Sequence, residues 1–261
     1  MNLDLSGKKA LVCGSTQGIG KASAVELALL GADVTLLARN EDKLKQTIKD
    51  LPVKAGQKHD YLVADFNFPE QLKSVVDKFA SSNTIHILIN NTGGPPGGPV
   101  LTASLDEFSK AFSSHLLCGQ ILVQAVVPGM KEANYGRIIS VISTSVKMPI
   151  RGLGVSNTIR GAVANWSKTL SLELGPFGIT VNNVLPGASM TGRLESIIND
   201  RAEKQKKTTD QITQEMIAEI PAGRISSSEE VAAAIAFLAS PAAGYINGIN
   251  VPVDGGRTGS L

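Results

Sequence analysis

The stretch "KALVCGSTQGIG", residues 9–20, decides the fold. Its first half is an apolar run suited to a buried strand. Its second half spaces Gly14, Gly18 and Gly20 as G-x3-G-x-G and opens onto Ile19, Ala22, Val25 and Leu29, which recur at helical spacing. A strand that turns on glycines straight into a helix is how a nucleotide-binding βαβ unit begins. The glycines permit a tight turn and a close backbone approach, and the helix N-terminus offers free N–H groups and a positive dipole end to a pyrophosphate. Many strand-to-helix turns need glycine only for their backbone angles. The position directly after the first strand is what gives this turn a functional reading.

Outward from this unit the alternation continues. "DVTLLA" reads as a second strand, with Asn40 as helix N-cap ahead of Glu41 and Asp42. "HDYLVA", "IHILIN", "GRIISVIS", "GITVNNVL" and "INVPVD" read as further strands, and helical patterns fill about 69–82, 104–131, 153–175 and 228–240. Near-continuous apolar strands separated by helices predict an α/β fold with a parallel sheet covered on both faces. No internal repeat or linker divides the chain, so residues 1–261 read as one domain. The polar, Lys/Glu-rich segment at about 192–222 is either a solvated surface helix or a lid.

Composition narrows the function classes. The 261 residues carry a formal charge of only +2, dispersed along the chain, unlike the basic stripe of a nucleic-acid binder. No apolar run approaches the ~18 residues of a membrane span, and "MNLDLSGKKALV" lacks the layout of a secretory signal peptide. Cys13 and Cys118 show no metal-ligand or redox-motif spacing, so no metal is expected and the thiols fit a reducing, cytoplasmic setting.

The end of the second strand is where an adenosine ribose would be sensed. An acid there suits a 2′-hydroxyl and an arginine suits a 2′-phosphate. Arg39 stands at that end, with Ser15 available in the glycine turn, which favours NADP(H) over NAD(H). The bland alternative is a solvated arginine beside the helix cap.

Three more motifs follow: "NNTGG" (90–94) after the fourth strand, "LPGASMT" (185–191) after the sixth and "VDGG" (253–256) after the last. With "CGSTQGIG" and "GRIISVIS" they resemble, over nearly the whole length, the short-chain dehydrogenase/reductase family, and most of all its β-ketoacyl-carrier-protein-reductase-like members. The resemblance implies a single Rossmann-type domain with a doubly wound seven-stranded parallel sheet, assembled as a homotetramer or dimer and acting on a small-molecule substrate. It implies that Gly14, Ser15, Thr16, Gly18, Ile19 and Gly20 contribute to cofactor binding, with Asp65 and Phe66 beside the adenine. It further places Asn90, Asn91 and Gly93 by the two riboses, Pro186, Gly187 and Thr191 by the nicotinamide amide, and makes 192–222 the substrate-covering segment. Cys13 stands where threonine is usual, and Thr92 where alanine is usual.

The pattern breaks at the catalytic residues. The family reduces a carbonyl with an asparagine, a serine, a tyrosine and a lysine. The serine aligns with Ser143; the other three positions hold His115, Ser156 and Arg160. No shift in alignment repairs this, because the only tyrosines are Tyr61, Tyr135 and Tyr245. Residues 156 and 160 still share one helix face. A phenol with pKa near ~10, lowered by a neighbouring cation, is a workable general acid, whereas a serine hydroxyl is a far weaker and shorter one. Arg160 can serve as a cation toward the cofactor ribose but relays no proton. The proton then comes from His115, from Lys147 or from a water held by Ser143 and Ser156. The leading reading is an NADP-dependent oxidoreductase acting on a carbonyl or alcohol with this degenerate tetrad. The rivals are a catalytically inactive cofactor-binding sensor or scaffold, and a lyase or isomerase on the same fold.

Overall fold

A computed structural model describes residues 1–54 and 56–260. Its seven strands are β1 (Lys9–Cys13), β2 (Asp33–Ala38), β3 (Asp60–Val63), β4 (Ile87–Asn90), β5 (Gly136–Val141), β6 (Ile179–Pro186) and β7 (Asn250–Val253). They form one parallel sheet in the order β3-β2-β1-β4-β5-β6-β7. Every strand read from the sequence is present.

Alternation along the central strands feeds two cores. Ala10 and Val12 of β1, with Ile87 and Ile89 of β4, face one cluster; Leu11, Cys13 and Leu88 face the other. The first cluster is closed by α1 (Gly18–Leu29), α2 (Glu41–Asp50) and α9 (Ser228–Ala239), through residues such as Leu27, Leu44 and Ile235. The second is closed by α3 (Pro69–Ala80), α5 (Cys118–Glu132) and α6 (Gly154–Leu174), through residues such as Leu72, Leu122 and Leu174. Both faces are covered, which is why these strands read as unbroken apolar runs. Each fully buried Leu or Ile contributes about 1.5–3 kcal/mol relative to exposure.

The sheet order reverses between β1 and β4, because the chain winds outward through β2 and β3 before β4 returns beside β1. In open α/β sheets that switch point opens a crevice at the carboxyl ends of the strands. Here the crevice lies between the glycine turn after β1 and the NNTGG loop after β4.

Two elements go beyond the sequence reading. The pattern at 104–131 is one continuous helix, α4 (Leu105–Phe112) passing into α5 through a π-turn at Ser113–Leu117. This helix, Leu105–Glu132, is long and apolar enough by composition to cross a membrane, although no single apolar run suggested it. Its residues Leu122, Val123, Val126 and Met130 pack into the second core. The segment after β6 is a helical pair, α7 (Gly192–Gln205) and α8 (Thr209–Ala218). Leu194, Ile198, Ala202, Ile212, Met216 and Ile220 give it a small core of its own.

Candidate active site at the carboxyl ends of the strands

The glycine turn is built for close approach. Gly14 and Gly18 adopt φ of +58° and +52°, in the left-handed region. A Cβ on Gly20 would lie 2.1 Å from the Gly14 carbonyl oxygen, and one on Gly14 would lie 2.8 Å from the Asn91 side chain. Asn91 Nδ2 donates to the carbonyls of Cys13 (3.2 Å) and Gly14 (3.3 Å), bolting the NNTGG loop onto the turn. The N-terminus of α1 has neither a capping side chain nor an acid in its first turn, so its N–H groups stay available for an anion. Ser15 is fully buried and its Oγ donates to Leu37 O at 3.4 Å. It braces the turn against β2, and its hydroxyl faces inward.

Beside this turn, a cleft of about 370 Å³ is lined by Arg39, Asn40, Val63, Ala64, Asp65, Phe68 and Gln71. Arg39 is exposed and takes part in no ion pair among the described residues. Asp65 and Phe66, expected together at the adenine, part company. Asp65 lines this cleft, while Phe66 turns inward and lines a separate cavity behind the site. Phe68, 62% exposed on the cleft wall, was not singled out in the sequence. Its only signal there is an apolar residue directly before the proline that opens α3.

At the other end, Gly93 faces open space. Gly187 N donates to Val253 O at 3.0 Å, and a Cβ on Gly187 would meet Asp254 at 2.7 Å, so the PG and VDGG motifs brace each other. Thr191 caps α7 by accepting from Leu194 N, and its methyl lies 3.1 Å from where a Cβ on Gly18 would sit. Thr191 thus closes over the glycine turn. These residues fit a dinucleotide: a turn with no room for side chains, an uncapped helix end and an unpaired arginine at the ribose position.

The four tetrad positions divide into pairs. The π-turn points His115 inward, where it is only 7% exposed. Arg160, equally buried, donates from Nη1 to Val141 O (2.9 Å) at the end of β5. Both line an inner cavity of about 20 Å³, enough for one water. Asn90, Ser140 and Phe66 also line it, with Asn91 and Thr92 of the NNTGG loop. His115 Nε2, Arg160 Nε, Ser140 Oγ and both amide atoms of Asn90 have no hydrogen-bond partner among the described residues. Ser143 and Ser156 do not line this cavity. Ser143 lies at the end of β5, its Oγ accepting from Ser145 N at 3.1 Å, and Ser156 is half-buried in the first turn of α6.

Electrostatics corrects one expectation. Burial, with the Arg160 charge next, pushes the His115 pKa down to about 2, so the imidazole is neutral at working pH and is no ready proton donor. Burial, and then the charge of Arg193, brings Arg160 down to about 10, which leaves it charged at neutrality. No tyrosine fills the gap from elsewhere in the fold. Tyr61 Oη donates to Glu41, Tyr135 Oη donates to Ala239 O, and Tyr245 is fully exposed. Lys147 is half-buried just beyond the Thr144–Val146 turn.

Sheet order, crevice and glycine turn define a Rossmann-type dinucleotide-binding α/β protein. A family model described as enoyl-(acyl carrier protein) reductase matches residues 14–258, and the chain belongs to the short-chain dehydrogenase/reductase family. It is 33% identical to the 3-oxoacyl-[acyl-carrier-protein] reductase FabG of Vibrio cholerae, covering 97% of this chain and 98% of that one. It is 28% identical to the NADPH-dependent reductase BacG of Bacillus subtilis, covering 98% of this chain and all of the other. The structure of L-sorbose reductase from Gluconobacter frateurii complexed with NADPH and L-sorbose superposes with a TM-score of 0.93 at 30% identity, over the full length of both chains.

Proposed function

We propose that this protein is an NADP-dependent oxidoreductase that interconverts a carbonyl and an alcohol with an altered catalytic tetrad. The observation that carries the reading is the cofactor crevice, which keeps its parts, including the unpaired Arg39 where a 2′-phosphate would lie. The NADPH dependence of BacG and the NADPH held by L-sorbose reductase support the same cofactor here. Gly14, Ser15, Thr16, Gly18, Ile19 and Gly20 form or brace the phosphate turn. Asp65 lies beside the adenine, Asn90, Asn91 and Gly93 near the riboses, and Pro186, Gly187 and Thr191 by the nicotinamide.

NADPH, when bound, supplies the hydride. The chain then manages the oxyanion left on the substrate. Ser143 holds that oxygen at the end of β5. Arg160, behind Val141, lends positive charge to the site from a position of low dielectric, where such charge acts strongly. With His115 neutral, the proton comes from Lys147 or from a water between Ser143 and Ser156. Lys147→Ala separates the two, since unchanged turnover assigns the proton to water.

The test is NADPH oxidation by purified protein against a panel of ketones, quinones and acyl thioesters. Turnover that collapses in Ser143→Ala supports the reading. Bound NADPH with no turnover on any member favours the second reading, a cofactor-binding protein without hydride transfer. That alternative draws on one observation, the absence of any phenol near Ser143. Assembly as a dimer or tetramer belongs to the proposal too. Leu101, Leu105 and Leu172, 92%, 85% and 70% exposed, are the kind of apolar surface a second copy would cover.

A further inference from the structure

Arg193 is a cation that the tetrad and the cofactor crevice leave unused. It sits in the first turn of α7, two residues after the Thr191 cap, and is half-buried. Its Nη2 donates to Pro95 O at 2.6 Å. Its guanidinium spans the loop after β4, with Nε and Nη2 at 3.5 and 3.6 Å from where a Cβ on Gly94 would be. The N–H groups of Nε and Nη1 have no protein partner among the described residues.

Two further facts define its surroundings. Arg193 is near enough to Arg160 for its charge to lower the Arg160 pKa. Neither arginine forms an ion pair among the described residues, and Asp200, the acid whose charge reaches Arg193, is in none with it. Arg160 Nε is buried and unpartnered. A half-buried guanidinium that bridges to a backbone carbonyl but meets no carboxylate favours an anion beside it. The cofactor's pyrophosphate belongs at the glycine turn under α1. Arg193 lies instead across Gly94 and Pro95, toward the end where the substrate must meet the nicotinamide.

We propose that Arg193 is the specificity-determining residue of the substrate site and binds a carboxylate, so the substrate is an oxo acid or the corresponding hydroxy acid. The inference rests on the oxidoreductase reading and names its substrate class. The N–H groups that Pro95 O leaves free suit the oxygens of a carboxylate, in charge-assisted hydrogen bonds. Thr191 and the α7 N-terminus carry Arg193 over the crevice, so the covering segment does more than exclude water: it selects charge.

The experiment uses oxo acids of increasing chain length paired with their primary amides, tested with wild type, Arg193→Leu and Arg193→Lys. The wild type should prefer an acid over its amide by about 100-fold in kcat/KM, the scale expected for a buried charged hydrogen bond. Arg193→Leu should erase that preference by lowering acid turnover far more than amide turnover, with a much smaller change in NADPH Kd, and Arg193→Lys should recover part of it. Equal use of acids and amides by the wild type overturns the inference. So does an NADPH Kd that rises in Arg193→Leu as steeply as acid turnover falls, because the anion is then the cofactor's own pyrophosphate. If neutral ketones, quinones or thioesters oxidise NADPH and no acid does, the inference is overturned; if no compound of either set does, the oxidoreductase reading fails by itself. Calorimetric titration of the same pairs into the NADP⁺ complex then decides the inference: acid binding lost in Arg193→Leu upholds it, and acids binding no better than amides removes it.

Discussion

Arg39 and His115 show how its surroundings set what a residue can do. Arg39 stands exposed at the end of β2, without an acid partner among the described residues, above a cleft of about 370 Å³. A guanidinium there has its hydrogen-bonding edge free for a phosphate. Arg39→Leu is expected to raise the NADPH Kd about 10- to 100-fold, the range of a charge-assisted hydrogen bond lost at a partly exposed site, and to leave the NADH Kd nearly unchanged. Fluorescence titration with both nucleotides checks it, and an equal effect on the two would disconnect Arg39 from the 2′-position. His115 is governed by burial. Its folded pKa of about 2 lies below the ordinary value of 6.5, so between those limits the unfolded chain binds the extra proton. This residue therefore costs no stability above about pH 6.5, and stability falls by up to about 1.4 kcal/mol per pH unit as pH drops below it. In His115→Asn the loss of Tm between neutral and mildly acidic pH should shrink. An identical pH dependence in wild type and variant would mean that the imidazole protonates in the folded state.

Among the elements, the covering pair α7–α8 stands apart energetically. Its apolar contacts form a cluster distinct from the two cores that flank the sheet. Ile212→Ala should therefore loosen this pair before it weakens the sheet, at a cost of about 2–5 kcal/mol to the local packing. Hydrogen exchange should quicken across 192–220 while the amides of β1, β4 and β5 keep their protection; uniform quickening would show one cooperative unit. The apolar run of each strand and the periodicity of each helix were readable because burial alone writes them. The helical pair was partly readable too, since Leu194, Ile198 and Ala202 recur at i, i+4 and i+8. The π-turn was not. A five-residue turn is too short to be read from apolar periodicity, yet it turns His115 into the cavity with Arg160. The same limit hid Arg193, whose meaning depends on a carbonyl nearly a hundred residues away in sequence. Asp65 and Phe66 parted for a related reason: adjacent residues at a strand end face opposite ways, and only the packing of Phe66 toward α5 decides which one lines the cleft.

At the scale of the whole molecule, the sheet serves to bring the ends of β1, β4, β5 and β6 to one crevice. The glycine turn, the NNTGG loop, Ser143 and Thr191 reach it from four separate stretches of chain, and Asn91 and Thr191 tie the cofactor side together. This half of the site was legible in the sequence because a phosphate cradle depends on glycines at fixed spacing. In the other half, α6 (Gly154–Leu174) carries Ser156 and Arg160 four residues apart, on one helix face. We propose that hydride still moves from NADPH to a substrate held at Ser143, without a tyrosine as the acid. The most direct measurement is mass spectrometry of the panel compounds after incubation with 4-deuterated NADPH and purified protein. A product carrying deuterium on the former carbonyl carbon in the wild type, and absent in Ser143→Ala that still binds NADPH, is the predicted result. Saturated NADPH binding with no deuterium in any product, or transfer unaffected by Ser143→Ala, would contradict the account.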